Sequence, residues 1–115
     1  MTLDTDVLCV AREFGLDPQL LQAVVQAEGD IVGAVRQSIP DVRTRYEALR
    51  ITARSAVHAM VDWIKSGGAE RQDAFVAFWA RRWAPVGATN DPKNLNANWE
   101  SNVDRLWTSS GSASL

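Results

Sequence analysis

Residues 14–30 read FGLDPQLLQAVVQAEGD, and this stretch carries the best-defined helix signal of the chain. Asp17 suits the N-cap, because its side chain can accept hydrogen bonds from the free backbone N–H groups of a first turn, and Pro18 suits the first helical position. Before the stop signal of Gly29, apolar residues recur at helical spacing: Leu20, Leu21, Val24 and Val25. The pattern predicts a helix that begins at Pro18 and ends at Glu28.

Glu28 is therefore predicted to be a carboxylate at the carboxyl end of a helix. The negative pole of the helix dipole and the apolar segment 23–27 before it both disfavour the ionised form of the side chain. A general acid working at neutral pH needs such surroundings. From position alone, a solvated residue at a helix end is the alternative interpretation, and both stay open at this point.

The rest of the chain shows further helical patterns and no convincing strand pattern. Thr44 and Glu47 have capping-box spacing at the start of the longest helix, and Gly67 closes it. We expect six helical segments: from Asp4 or Thr5 to Phe14, 18–28, 31–38, from Thr44 to Gly67, 70–84 and 95–107, with a loop over 87–94. The sequence thus predicts an all-α fold, a compact single domain of five to six helices over residues 1–108, followed by a disordered tail over 109–115.

Apolar periodicity predicts which faces of the later helices are buried. The longest helix has a stripe of seven such residues: Leu49, Ala53, Ala56, Val57, Met60, Val61 and Ile64. The chain also has five tryptophans, at positions 63, 79, 83, 99 and 107. We expect most of them to anchor the core, with one or two lining a groove and stacking on sugar or base faces as the alternative.

Composition excludes several classes of function. The formal net charge is −2, from 12 basic and 14 acidic residues, so bulk electrostatic binding to nucleic acid is not expected. Cys9 is the single cysteine and is predicted to be an inert core residue; with His58 as the single histidine, neither a metal nor another cofactor is predicted. Residues 1–6 lack the basic start of a signal peptide and no apolar run reaches membrane-spanning length, so we expect synthesis in the cytoplasm without a signal peptide and without membrane insertion.

The stretch 14–30 resembles the opening of the lysozyme-like superfamily, above all lytic transglycosylases and related phage lysins. In that family a segment of the form (Y/F)GLDPxLLxAVxxxES leads into the catalytic glutamate at a helix end, and Glu28 occupies the place of that glutamate. Ala34, Val35 and Ser38 loosely match the NPxAVxxS continuation. Gly29 stands where the family usually has serine.

A second resemblance covers the later part of the chain. Residues 43–64, RTRYEALRITARSAVHAMVDWI, and 78–103, FWARRWAPVGATNDPKNLNANWESNV, are similar to phage-associated lysozyme-like proteins. The matching elements are the RWAP turn at 82–85 and the loop that contains Asn90 and Asp91. The GLMQ segment, which helps to form the β-lobe and the sugar groove in the family, is absent. The resemblance therefore implies a lysozyme-like helical core without an evident β-lobe.

The resemblance also implies an activity, the cleavage of peptidoglycan at the bond between N-acetylmuramic acid and N-acetylglucosamine. Glu28 would be the single acid/base, which is sufficient for a lytic transglycosylase. A hydrolytic lysozyme normally needs a second carboxylate, for which the candidates are Asp30, Asp41, Glu47 and Asp91.

The substrate-binding residues that the resemblance implies are Tyr46, Trp83, Asn90 and Asp91. The expected partner is the glycan strand of peptidoglycan, met at the cell wall or within a phage particle, with phage virion or tail components as further partners. Arg81 and Arg82 are either solvated or contact anionic peptide stems. Two alternatives remain: a non-catalytic phage or prophage structural or binding module on a lysozyme-like scaffold, and a helical adaptor unrelated to cell walls.

Overall fold

The computed structural model describes residues 3–72, 74–85 and 95–109, except for the side chain of Leu95. Within these ranges all regular secondary structure is helical, so the all-α prediction is confirmed there. The elements are α1 (Thr5–Phe14), α2 (Pro18–Glu28), α3 (Ile31–Arg36), α4 (Arg45–Lys65), α5 (Gly68–Arg71), α6 (Phe75–Trp83), the 3₁₀ helix η1 (Leu95–Asn98) and α7 (Trp99–Ser109). The predicted loop over 87–94 and residues 110–115 of the predicted tail lie outside the described residues.

The described residues hold seven α-helices, where the sequence predicted five to six. The extra helix arises because the predicted fifth helix is two, α5 and α6. Gln72 ends α5 in the left-handed region, at φ 61°, and a helix cannot continue through that backbone conformation. None of the described helices is both long and apolar enough to cross a bilayer.

The first two helices begin and end where the sequence predicts. Asp4 caps α1 by accepting the backbone N–H of Asp6 at 2.9 Å, and Asp17 caps α2 by accepting that of Gln19 at 2.9 Å. Gly15 ends α1 in the left-handed conformation. Cys9 lies on the outer face of α1 and is exposed, so its predicted burial is wrong.

The buried face of α4 differs from the predicted stripe. Val61 and Ile64 are exposed, at 43% and 56%. The helix instead turns a face of mostly small residues toward its neighbours α1, α3, α5 and α6: Ala48, Leu49, Thr52, Ala53, Ala56, Ala59 and Trp63. Small side chains let helices approach closely, and the buried Thr52 hydroxyl donates to the carbonyl of Ala48 at 2.8 Å. The predicted stripe is therefore confirmed at Leu49, Ala53 and Ala56 and wrong at Val61 and Ile64.

An aromatic cluster forms the centre of the core. The Trp79 ring is fully buried, stacks on Phe75 at 6.0 Å between ring centroids, and meets the Trp99 ring edge-on at 5.4 Å. Its indole N–H donates to the hydroxyl of Ser55 at 3.0 Å. The cluster thus joins α4, α6 and α7 without leaving the Trp79 nitrogen unsatisfied.

Helices α2 and α7 run antiparallel, and an indole–carboxylate hydrogen bond joins them at each end. Trp107, near the end of α7, donates to Asp17 Oδ2 at 3.0 Å at the start of α2. Trp99, at the start of α7, donates to Glu28 Oε1 at 2.6 Å at the end of α2. This pairing sets the position of Glu28 relative to the core.

Candidate functional site

Glu28 is the last residue of α2, and the backbone turns sharply after it. Gly29 has φ 74° and ψ −57°, and the N–H of Asp30 bonds to the carbonyl of Glu28 at 2.9 Å. This is a γ-turn with Gly29 at its centre, a strained conformation that L-residues rarely adopt. The local backbone therefore accounts for glycine at position 29, where the resembled family has serine.

Two tryptophans hold the Glu28 side chain through one of its oxygens. The indole N–H groups of Trp83 and Trp99 both donate to Oε1, at 3.2 Å and 2.6 Å. An indole nitrogen can only donate, so Oε1 is the acceptor in both bonds. No donor among the described residues bonds to Oε2. One oxygen of the carboxyl group is thus fixed and the other is left for a ligand.

Glu28 lines a cavity of about 350 Å³, which we call the Glu28 cavity. Its walls come from the segment 34–39, from Ile51 on α4, from the end of α6 through Pro85, and from Asn96 on η1. Glu28 is the single carboxylate among the described residues that line it. The volume lies within the range of small-molecule sites, and Gln37, Ser38, Arg82 and Asn96 place polar side chains in the wall beside the apolar ones.

Arg82 supplies the positive charge in the wall of this cavity. Its Nη1 lies 2.6 Å from Asp62 Oδ2, and its guanidinium lies 4.7 Å from the centre of the Phe78 ring. The hydrogen bond from Arg82 lowers the pKa of Asp62 below its usual value. A guanidinium that is held on both sides in this way has a defined orientation while other N–H donors remain for a ligand.

The structure brings together two of the residues that the sequence singled out, Glu28 and Trp83, and it places Tyr46 elsewhere. Tyr46 is exposed on the first turn of α4 and donates to Glu13 Oε2 at 3.4 Å, and it does not line the Glu28 cavity. Asn90 and Asp91 lie outside the described residues, so their predicted roles stay predictions.

The candidate second carboxylates within the described residues do not line the cavity. Asp30 is exposed and caps α3 by accepting the N–H of Gly33 at 3.0 Å. Glu47 is exposed and accepts the hydroxyl of Thr44 at 3.1 Å. Asp41 is exposed and is not part of the wall. A cluster of three or more residues suited to holding a metal ion is likewise not found in the described part of the chain.

Several lining or contacting residues were not identified from the sequence. In the sequence, Trp99 is one of five tryptophans of which most are expected to anchor the core, and no role at the site is predicted for Asn96. A partial signal did exist for three others, Ala34, Val35 and Ser38, which loosely match the family's continuation after the glutamate and which line the Glu28 cavity.

The described residues thus define a class of protein by two features. The fold is all-helical, and two indoles hold a glutamate at the edge of a cavity. The chain matches no family model, and no curated protein or solved structure is significantly similar to it. The geometry of the site is therefore the basis for assigning a function.

Proposed function

We propose that this chain is a peptidoglycan-cleaving glycosidase of the lytic-transglycosylase or lysozyme type. It would act on the bond between N-acetylmuramic acid and N-acetylglucosamine, with Glu28 as the single acid/base. The observation that carries the proposal is the Glu28 carboxyl group, which lines a ligand-sized cavity with one oxygen fixed by Trp83 and Trp99. The motif resemblance around Glu28 points to the same residue.

The geometry supports a specific division of roles between the two oxygens. Because both indoles donate to Oε1, the acidic proton resides on Oε2 when Glu28 is protonated. From there it passes to the glycosidic oxygen as the bond to C1 breaks and an oxocarbenium-like sugar forms. The fixed Oε1 limits rotation of the carboxyl group, which keeps Oε2 directed at the bond.

The single carboxylate favours a transglycosylase over a hydrolase. After the first step Glu28 is ionised, and Oε2 can take the proton of the C6 hydroxyl of the muramyl sugar. The C6 oxygen then attacks C1, an anhydro sugar forms, and Glu28 regains its proton. A hydrolytic route normally needs a second carboxylate, and none of the described residues supplies one in the cavity wall.

The test is the substitution Glu28→Gln, with Glu70→Gln as a matched control on the exposed helix α5. The amide oxygen of glutamine can still accept from the indoles, so the fold should remain while the proton donor is lost. We expect the rate of glycan cleavage to fall by about 10²–10⁴-fold in Glu28→Gln and to stay unchanged in the control.

Mass spectrometry of digested peptidoglycan identifies the product. Anhydro-muropeptides support the transglycosylase mechanism, and reducing-end muropeptides point to hydrolysis. Full activity in the Glu28→Gln variant would remove Glu28 from the mechanism.

A non-catalytic module on a lysozyme-like scaffold is the second candidate. The observation that favours it is the pair of hydrogen bonds from two indoles to Glu28. These bonds join α2 to α6 and α7 whether or not catalysis occurs. Such a module, for example a phage virion or tail component, would bind glycan strands and release no fragments. Release of muropeptides by the wild-type protein would rule it out.

A further inference from the structure

A second cavity adjoins the Glu28 cavity and has a different chemical character. This side cavity has a volume of about 360 Å³ and is lined by six residues: Ile39, Ile51, Arg54, Ser55, His58 and Arg82. Ile39, Ile51 and Arg82 also line the Glu28 cavity, so the two spaces share a wall. A ligand with a branch could therefore occupy both at once.

The side cavity follows one face of α4. Ile51, Arg54, Ser55 and His58 are spaced at i, i+3, i+4 and i+7, which places them on one side of the helix. Seven residues of helix rise by about 10 Å. An extended peptide rises by roughly 3.3 Å per residue, so this length suits about three peptide residues.

Arg54 is the unpaired cation of this face. The other two arginines of α4 form ion pairs. Arg45 pairs with Asp4, the residue before α1, at 2.8 Å, and Arg50 pairs with Glu13 of α1 at 2.7 Å. Arg54 is exposed and forms no ion pair or hydrogen bond with any residue that the structure describes. Its charge is therefore free for a ligand.

Ser55 and Arg82 are further hydrogen-bond donors of the wall. Ser55 is neutral, and the charge of Arg82 is partly neutralised. Ser55 Oγ accepts the indole N–H of Trp79 at 3.0 Å, and its own proton has no acceptor among the described residues. Arg82 is partly neutralised by Asp62, so it contributes directed N–H groups more than net charge. The cavity wall contains no carboxylate and no Phe, Tyr or Trp ring among its described residues. It is thus suited to an acidic group with an aliphatic part, and not to stacking on a sugar.

We propose that the side cavity binds a short acidic peptide attached to the glycan in the Glu28 cavity, with Arg54 as its carboxylate-binding residue. This inference rests on the proposed function, because the peptide stem of peptidoglycan branches from the muramyl sugar beside the bond that Glu28 would cleave. The site then distinguishes stem-bearing glycan from bare glycan by charge.

The first test measures binding without turnover, in the Glu28→Gln protein. A three-residue stem peptide with free carboxylates is titrated against the same peptide with amidated carboxylates, by calorimetry. We expect amidation to weaken binding about tenfold. Arg54→Ala should abolish this preference, and Arg105→Ala, an exposed arginine on α7, should keep it. Equal affinity for the two peptides, or a preference that survives Arg54→Ala, would overturn the proposal.

The second test separates this inference from the proposed function. With active protein, Arg54→Ala should raise KM for stem-bearing strands about tenfold, leave kcat unchanged, and leave both constants unchanged for strands whose stems have been removed. A rise in KM for stem-bearing strands alone supports peptide binding in the side cavity. If Arg54→Ala and wild-type protein have equal KM values for stem-bearing strands, the proposal is refuted even if cleavage continues. If wild-type protein cleaves nothing but still prefers the free-carboxylate peptide, the enzymatic proposal fails and the peptide site stands.

Discussion

The two ends of α2 carry the same kind of contact with different outcomes. At the amino end, Asp17 uses both oxygens: Oδ1 accepts the backbone N–H of Gln19, and Oδ2 accepts the indole of Trp107. At the carboxyl end, Glu28 takes both of its indole bonds on Oε1. Asp17 also lies at the positive pole of the helix dipole, whereas Glu28 lies at the negative pole.

If the proposed function holds, the same pairing serves stability at one end and chemistry at the other. A carboxylate near a helix amino terminus whose two oxygens each accept a hydrogen bond acts as a cap. A carboxylate held by one oxygen beside a cavity keeps a second oxygen that the proposed proton transfer can use. The two ends can therefore be separated by mutation.

The largest expected effect follows from Trp99→Ala. Trp99 is 5% exposed, and its removal eliminates the edge contact with Trp79 as well as the 2.6 Å bond to Glu28. We expect the free energy of unfolding to fall by about 3–5 kcal/mol in chemical denaturation. Trp99→Phe is the control, since it keeps an aromatic ring in the core and loses the N–H donor. A loss below about 1 kcal/mol in Trp99→Ala would contradict the central place of this contact.

Asp17→Ala should have the next largest effect on stability. The variant loses the N-cap and leaves the buried indole N–H of Trp107 without this acceptor, so we expect a loss of about 2–3 kcal/mol. Asp17→Asn, which keeps an acceptor oxygen, should lose less. If the proposed function holds, the folded Asp17→Ala protein retains glycan cleavage. Loss of cleavage below the unfolding temperature would show that the two ends cannot be separated.

Gly29→Ser tests the γ-turn at the carboxyl end and restores the residue usual in the resembled family. At φ 74° and ψ −57° a side chain is strained although space for a Cβ is open, so we expect a loss of about 2 kcal/mol. Gly15→Ser is the matched control in the left-handed helical region, at φ 66° and ψ 30°, and should cost about 1 kcal/mol. Equal losses in thermal unfolding would argue against special strain at Gly29.

The smallest effect concerns Asp104, a carboxylate of α7. Burial, with a smaller contribution from Glu100, raises the pKa of Asp104 above its usual value. Since the folded pKa is raised, the fold is favoured below the unfolded pKa and loses that advantage as pH rises through the folded pKa. Asp104→Asn should therefore raise the unfolding temperature slightly at pH 7 and leave it unchanged near pH 3. A lower unfolding temperature at pH 7 would contradict this sign.

Local signals predicted the part of the fold that depends on neighbouring residues. The Asp17 cap, Pro18 at the first helical position and the stop at Gly29 give α2 its observed bounds. They also place Glu28 at the helix end, which is the part of the candidate site that the sequence could supply. Each of these features is decided within one helical turn.

The remaining features depend on contacts between distant residues. Trp83 and Trp99 lie 55 and 71 positions from Glu28 along the chain, so no local pattern could pair them with it. The burial of α4 was mispredicted at Val61 and Ile64 because periodicity gives a face but not the elements that cover it. The break at Gln72 likewise had no glycine or proline to signal it.

The two indoles that donate to Glu28 also make the surroundings of its carboxyl group observable by intrinsic tryptophan fluorescence. Indole emission responds to hydrogen bonding and charge at the ring nitrogen, and two of the five tryptophans donate to this one carboxyl group. Ligand entry that disturbs Oε1 should change the intrinsic fluorescence of Trp83 and Trp99 without any added label. Trp83→Phe and Trp99→Phe variants assign the signal to one indole or the other. The hydrogen bonds to Glu28 can then be followed in solution while a ligand binds.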